Sequence, residues 1–413
     1  MTPAPPHEDP GPGPGRNALS RLDRPLPGPQ GRPLRVGLHQ PALPKYRVPV
    51  FREFASRDGI DLELSYGVEP FIANVPPDGF RATERAPLRL LGRIWWYAGQ
   101  FRLADPSRFD VAIFPWNTRI LSLVPALIVA RLRGVATVVW GHGYSKNESS
   151  LRRWIRLRMG LLADCQLFYN YGTAQQMIRL GAPRNRVFVA LNCLDQAPIE
   201  RAQDAWRAQP GRLDAWRRDQ GVDPRRTLLF VSRLDPANRV DLLLRAAAAL
   251  RARFPDLLVA IVGKGDDEPR LRALAGELGL GSTVRFVGAE YEEDRLAPWF
   301  LSARAFCYPA NIGLSILHAF GYGLPVVTSD NFSGQNPEIE ALRHEVNGLT
   351  YTDASVEALA AALERLLRDD DLHGRLSAGA RETVREAFSL SWMVDGLEAA
   401  ARRAYARRAL KAR

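Results

Sequence analysis

The sequence predicts two doubly wound, Rossmann-like α/β domains in series, and three observations carry the prediction. Short apolar runs alternate with helical patterns from residue 34 onward. The alternation lapses over roughly Gln196–Arg226 and restarts at Thr227. The chain has 413 residues, of which 46% are hydrophobic. That is too long for one typical core and enough to fill two.

In the first half the strand candidates are Leu34–His39, Ile60–Tyr66, Asp110–Phe114, Ala136–Trp140, Cys165–Asn170 and Val187–Ala190. Most are rich in Val, Ile, Leu or aromatics and end at Gly, Pro, Asn or Asp, the look of a parallel sheet covered on both faces. Gln196–Arg226 is polar, holds no strand candidate and reads as a connector. The second set is Thr227–Ser232, Leu257–Gly263, Thr283–Val287, Ala305–Pro309, Pro325–Thr328 and Gly348–Tyr351. Between its first two strands, Leu242, Leu243, Ala246, Ala249, Leu250 and Phe254 recur at helical spacing. From Phe388 the chain reads as a basic helix. The expected division is a Pro/Gly-rich disordered tail (1–33), an N-terminal domain (34–195), a linker (196–226), a C-terminal domain (227–387) and a last helix (388–413), for which a return to the N-terminal domain is one open course. Ligands of such sheets bind beyond the carboxyl ends of the strands, so two facing domains imply a central cleft.

The tail lacks the apolar core of a signal peptide, so export is not expected. Ile120–Ala130 is too short to span a bilayer, which takes about 20 apolar residues. The net charge of +11 suits nucleic acid, anionic lipid or a phosphorylated substrate. No nucleic-acid-binding signature appears, so the first is set aside. Cys165, Cys193 and Cys307 are widely spaced and read as reduced, buried thiols of a cytoplasmic protein. Leu88–Arg102 mixes aromatics and arginines at helical spacing, and Leu151–Met159 adds Arg152, Arg153, Arg156 and Arg158. Together they could touch anionic lipid, peripherally at the inner face of a membrane, or a lipid-diphosphate acceptor; an ordinary helix half buried on the sheet is the commoner case.

The most informative stretch runs from Pro309 to Thr328. A strand ends at Pro309, a short loop reaches Gly313, a helix covers about Leu314–Tyr322, and Gly323 ends it. Gly313 lets a ligand approach the backbone, and the N–H groups of Leu314 and Ser315 at the helix start form an anion site suited to a diphosphate; an ordinary βαβ unit with a flexible entry is the other reading. Arg233 follows a strand, where a guanidinium can grip phosphate in bidentate fashion; a surface ion pair is its other reading. Val262-Gly-Lys-Gly265 follows another strand. His142, in Trp140-Gly-His-Gly143, stands at a strand end between glycines, either as a catalytic group or as a turn residue. The only Asp-x-Asp spacing, Asp369–Asp371, is not at a strand end, so no metal is expected.

These segments resemble glycosyltransferase family 4, retaining enzymes of the GT-B fold, over roughly residues 34–400. The resemblance implies a nucleoside-diphosphate sugar as co-substrate and no cofactor or metal. It implies a C-terminal domain that holds the donor and an N-terminal domain that holds a glycan or lipid-linked acceptor. Family members usually carry two glutamates eight positions apart; Ala310 and His318 stand there, and the Gly-Leu-x3-His form resembles a divergent branch. By resemblance, Arg233, Asn238, Arg239, Gly313, Leu314 and Ser315 face the donor phosphates, with Asn238 at a usual lysine. Ala310, Asn311 and Ile312 face the donor sugar, and His318, Gly263 and Tyr291 the ribose or nucleotide, although a packed helix residue is the other reading of His318. His142 is the catalytic candidate. Lys45, Tyr46 and Arg47 face the acceptor with cationic reach, or else form a stiff loop. The function implied is sugar transfer with retention, in cell-surface polysaccharide or glycolipid biosynthesis. A degenerate nucleotide-sugar-binding scaffold and a sugar-nucleotide epimerase are the rivals.

Overall fold

The computed structural model describes residues 28–412 apart from 71, 92–93, 144–148 and 210, so most of the Pro/Gly-rich segment lies outside the described residues. Two compact units emerge. One runs up to Asn192 and takes in the chain from Leu390 onward; the other is Cys193–Ser389.

The first unit contains β1 (Leu34–Gln40), α1 (Val48–Ser56), β2 (Ile60–Tyr66), β3 (Arg81–Glu84), β4 (Leu88–Leu91), β5 (Ile94–Trp96), β6 (Val111–Pro115), α2 (Leu123–Leu132), β7 (Ala136–Gly141), α3 (Ser150–Leu162), β8 (Cys165–Phe168), α4 (Tyr171–Arg179) and β9 (Val187–Val189). Seven strands form a parallel sheet in the order β3-β2-β1-β6-β7-β8-β9. Val36, Leu38, Val111, Ile113, Val138 and Leu167 are fully buried in it. The C-terminal helix, Leu390–Ala412, packs on β7, β8 and β9 and beside α1. It buries Met393, Val394, Leu397, Ala400, Ala401 and Ala404. Gly396 allows the approach, because a Cβ there would stand 2.1 Å from the Val189 carbonyl oxygen.

The expected helix over Leu88–Arg102 is instead the antiparallel pair β4–β5 followed by a 3-10 turn, Ala98–Ala104. Its backbone finds partners elsewhere: Trp95 N–H donates to the Arg119 carbonyl, and Leu121 N–H donates to the Trp95 carbonyl. Long-range pairing overrides the local helical spacing.

The second unit contains α5 (Ala197–Arg207), α6 (Arg212–Gln220), β10 (Thr227–Val231), α7 (Val240–Leu250), β11 (Leu258–Val262), α8 (Glu268–Glu277), β12 (Val284–Gly288), α9 (Glu293–Leu301), β13 (Ala305–Cys307), α10 (Ser315–Gly321), β14 (Val326–Ser329), β15 (Gly348–Tyr351), α11 (Val356–Arg368) and α12 (Asp370–Glu386). Its sheet is parallel in the order β12-β11-β10-β13-β14-β15. The expected linker over 196–226 is α5 and α6, built into this unit. Trp206 is buried edge-on against Trp216 and donates through Nε1 to the Asp294 carbonyl, and Gln203 donates to the Gly321 carbonyl. A polar helix with one apolar edge resembles a connector when its packing partner is distant in sequence.

Candidate functional site

In the second sheet the strand order turns at β10 and β13, the place where open α/β sheets bind ligands beyond their carboxyl ends. Arg233 follows β10 there, mostly exposed, with Asp266 at 3.6 Å its nearest carboxylate. The segment after β13 carries Ala310, Asn311, Ile312, Gly313, Leu314 and Ser315 into α10. Among the described residues no acceptor meets the N–H of Gly313, Leu314 or Ser315; the first bonds of the turn start at Ile316, which donates to the Gly313 carbonyl. Three consecutive unpaired, partly exposed N–H groups at a helix start are an anion-binding arrangement.

Two glycines bring the neighbouring loops together. Gly263 follows β11 with φ +149°, and a Cβ there would stand 1.9 Å from the Ser232 carbonyl oxygen; at Gly265 it would stand 2.1 Å from that of Leu234. Ser232 N–H donates to the Val262 carbonyl and Leu234 N–H to the Lys264 carbonyl. Gly263 thus shapes the loop that presents Arg233. Tyr291 lies beyond β12 and is largely exposed.

Other expectations need correction. Asn238 is buried, donates to the Arg233 carbonyl at 2.7 Å and accepts from Asn311 Nδ2 at 3.0 Å. It ties the β10 and β13 loops together rather than presenting a phosphate ligand. Arg239 has φ +53° and turns its guanidinium to Asp241, 3.2 Å away. Ile312 has its side chain wholly buried, and its N–H donates to Gln335 Oε1 at 2.7 Å. Ala310 is partly exposed and its N–H donates to the Asn238 carbonyl at 3.3 Å. Glu338 is buried, its carboxylate 3.8 Å from where a Gly313 side chain would begin.

His318 is partly buried within the second unit. Its Nε2 lies 2.8 Å from Glu293 Oε1, the same oxygen that accepts the Tyr322 hydroxyl at 2.6 Å. Phe300 stacks on Tyr322 and leans on the His318 ring, with centroids at 4.8 and 4.5 Å. Burial, with the Glu293 carboxylate beside it, drives the Tyr322 hydroxyl well above the usual phenol range. One ring nitrogen of His318 is therefore engaged inside the unit. The sequence offered no sign of this cluster, because Glu293 opens α9 and His318 sits on α10.

In the first unit, His142 directly follows β7 and is exposed, its ring 4.8 Å from that of Tyr169. Arg47 also meets this aromatic group: its guanidinium is 5.0 Å from the ring centres of Trp140 and Tyr169 and 5.2 Å from that of Tyr46. Arg47 is only 5% exposed, and Nη1 meets Met393 Sδ at 3.6 Å. Cation–π contacts and sulfur hold this charge, so cationic reach in the loop belongs to the exposed Lys45. The structure thus gathers His142 with Tyr46 and Arg47 in one unit and the donor candidates in the other.

Cys165, Cys193 and Cys307 are free and buried, and burial pushes the Cys165 thiol up to about 12. Asp369 caps α12 by accepting the Leu372 N–H, which gives the lone Asp-x-Asp spacing a structural role. Among the described residues no group of three or more His, Cys, Asp or Glu is placed to hold a metal ion.

The second unit is also where the sequence matches a known family. The model "Glycosyl transferases group 1" matches residues 214–383. This chain carries a glycosyl transferases group 1 domain. The match spans the turn-over of strand order at β10 and β13, Arg233 and the unpaired N–H groups. The chain is 35% identical over 238 residues to D-inositol 3-phosphate glycosyltransferase of Rhodococcus opacus (strain B4), covering 54% of this chain and 50% of that protein. It is 28% identical over 283 residues to GDP-mannose-dependent alpha-(1-6)-phosphatidylinositol monomannoside mannosyltransferase of Mycobacterium tuberculosis (strain ATCC 25618 / H37Rv), covering 65% of this chain and 69% of that protein. The chain spans about half the length of the D-inositol 3-phosphate glycosyltransferases it matches. Among solved structures, Anabaena Alr3699/HepE in complex with UDP superposes with a TM-score of 0.66 at 17% identity, over 88% of this chain and 97% of that one. Sucrose-phosphate synthase (tll1590) from Thermosynechococcus elongatus gives 0.58 at 17%, over 87% and 96%. The fold is GT-B, with two Rossmann-like parallel-sheet domains.

Proposed function

We propose that this chain is a glycosyltransferase that moves a sugar from a nucleoside-diphosphate sugar to a hydroxyl of a glycan or lipid-linked acceptor, with retention and without a metal. The observation that carries the reading is the run of unpaired N–H groups at Gly313–Ser315, in a loop that Asn238 ties to the loop of Arg233, within the matched domain. Such donors are suited to the charge that develops on a departing diphosphate. UDP in the Anabaena structure and the GDP-mannose named for the mycobacterial relative support a nucleotide-sugar donor. Acceptors named for the two relatives contain inositol phosphate or phosphatidylinositol, which supports a phosphorylated or lipid-linked acceptor.

In this reading the acceptor oxygen forms a bond to the sugar's anomeric carbon while the bond from that carbon to the diphosphate oxygen breaks on the same face. The acceptor proton passes to the leaving phosphate. Arg233 and the Gly313–Ser315 backbone hold the diphosphate, and His142 orients the sugar or donates to the developing phosphate charge. Tyr291, Ala310 and Asn311 line the nucleotide and sugar ends, and Lys45 and Tyr46 the acceptor.

The test is incubation with a panel of UDP-, GDP- and other nucleotide sugars, with binding followed by calorimetry and nucleotide release by chromatography. Binding with release in the presence of an inositol-phosphate or lipid-linked acceptor is expected. Absence of binding to every donor sinks the proposal. Binding with no turnover on any acceptor turns the reading to a nucleotide-sugar-binding scaffold.

A further inference from the structure

We propose that the first unit docks on an anionic lipid bilayer through α3, flanked by α2 and the β4–β5 hairpin. Leu151, Trp154, Ile155 and Arg158 recur at i, i+3, i+4 and i+7 and so share one face of α3. On that face Leu151 is 66% exposed, Trp154 54% and Ile155 40%. The other side of the helix faces the protein, with Arg156 and Gly160 buried. An amphipathic helix that turns apolar residues to water has its covering surface elsewhere. The Arg158 guanidinium lies 5.2 Å from the Trp154 ring centre. Arg152 and Arg153 are exposed, with no ion pair among the described residues.

The neighbouring elements extend the patch. Helix α2, which packs against α3, leaves Ile128 and Leu132 exposed four residues apart. Leu121, just before α2, is exposed and tied to β5 through Trp95, and the hairpin exposes Leu88 and Leu90.

Charge selects the occupant. Residues 85–163 hold thirteen Arg or Lys against three Asp or Glu, and of these Arg133, just after α2, and Arg152, Arg153 and Arg158 on α3 are exposed. A second copy of so basic a face would be repelled, and a neutral surface would leave the arginines unmatched. Exposed Leu, Ile and Trp beside arginines suit the headgroup boundary of an anionic leaflet. No helix among the described residues is long and apolar enough to cross a membrane, so the contact lies along the surface. The docking surface does not depend on the transferase reading, because its readout is lipid binding and not turnover.

The experiment is co-sedimentation of the full chain with phosphatidylcholine vesicles, pure or with about one-third phosphatidylglycerol. Binding to the mixed vesicles only, weakened by added salt, is expected. Combined Arg152→Glu, Arg153→Glu and Arg158→Glu should weaken it roughly tenfold or more. Leu151→Ser with Trp154→Ser should weaken it at unchanged charge. Each variant is checked by thermal unfolding, and Leu151→Ser alone provides a milder change at an exposed position. Arg218→Glu, Arg225→Glu and Arg295→Glu in the second unit form the charge-matched control. Sedimentation with neither vesicle, equal sedimentation with both, or equal weakening by the control overturns the proposal. So does unaltered vesicle binding in the α3 variants accompanied by a change in molecular mass by light scattering, which would mark the patch as a protein–protein surface.

Discussion

His142 and Arg233 stand at strand ends in different units, so their substitutions should separate kinetically. His142→Ala is expected to lower turnover by roughly a hundredfold or more, with nucleotide affinity within about twofold of wild type. Parallel loss of both would make His142 a structural or nucleotide-contact residue. Arg233→Ala removes a charged donor and should weaken nucleotide-sugar binding by roughly tenfold to a hundredfold, measured by calorimetry. A third residue ties pH to stability. His39 is buried on β1 with Nδ1 2.8 Å from Ser65 Oγ, and burial, with the Arg85 charge nearby, pushes its pKa down to about 3. The native state keeps the ring neutral while the unfolded chain takes up a proton below about 6.5. Its contribution is therefore constant above that value and falls by about 1.4 kcal/mol per pH unit between roughly 6.5 and 3. Denaturant titrations at pH 7 and pH 5 should show the loss, and His39→Leu should flatten the slope; an unchanged slope would remove His39 from the account. At this scale the places of Arg233 and His142 at strand ends and of Gly313 before a helix were legible, because strand ends and glycine turns are local signals. The roles of Asn238, Arg47 and His318 were not, since each depends on Asn311, Trp140 or Glu293 approaching from a distant segment.

Glycine at 263 is an element-level requirement, because two strand ends touch backbone to backbone there. Gly263→Ala combines a left-handed φ with a Cβ 1.9 Å from the Ser232 carbonyl oxygen. It should destabilise the second unit by about 2 kcal/mol or more and displace the loop that presents Arg233. Thermal unfolding and donor binding measured together test this; wild-type values for both would refute it. Strands were legible to within a residue or two wherever apolar runs ended at Gly, Pro, Asn or Asp. Ile60–Tyr66 and Gly348–Tyr351 agree in full with the expectation. Leu88–Arg102 misled because arginines and tryptophans fit helical spacing and hairpin pairing equally well.

Each unit has its own sheet and core, but the chain enters the first unit twice. The C-terminal helix buries Met393, Val394 and Leu397 there, and apolar side chains of this size contribute roughly 1.5–3 kcal/mol each when buried. Truncation after Ser389 is therefore expected to destabilise the first unit by about 5 kcal/mol and leave the second unit's melting unchanged. Calorimetry of the two transitions reads this, and equal shifts in both would contradict the assignment. The sequence by itself determined two α/β units, most strands, the glycine-led helix start at Gly313 and the family resemblance, because apolar periodicity, glycine geometry and helix starts act over a few residues. Only the tertiary structure decided that 196–226 belongs to the second unit, that Asn238 ties neighbouring loops and His318 meets helix α9, and that α3 turns an apolar face to water. Those outcomes depend on which surfaces meet, and partners hundreds of positions apart leave no periodic trace in the chain.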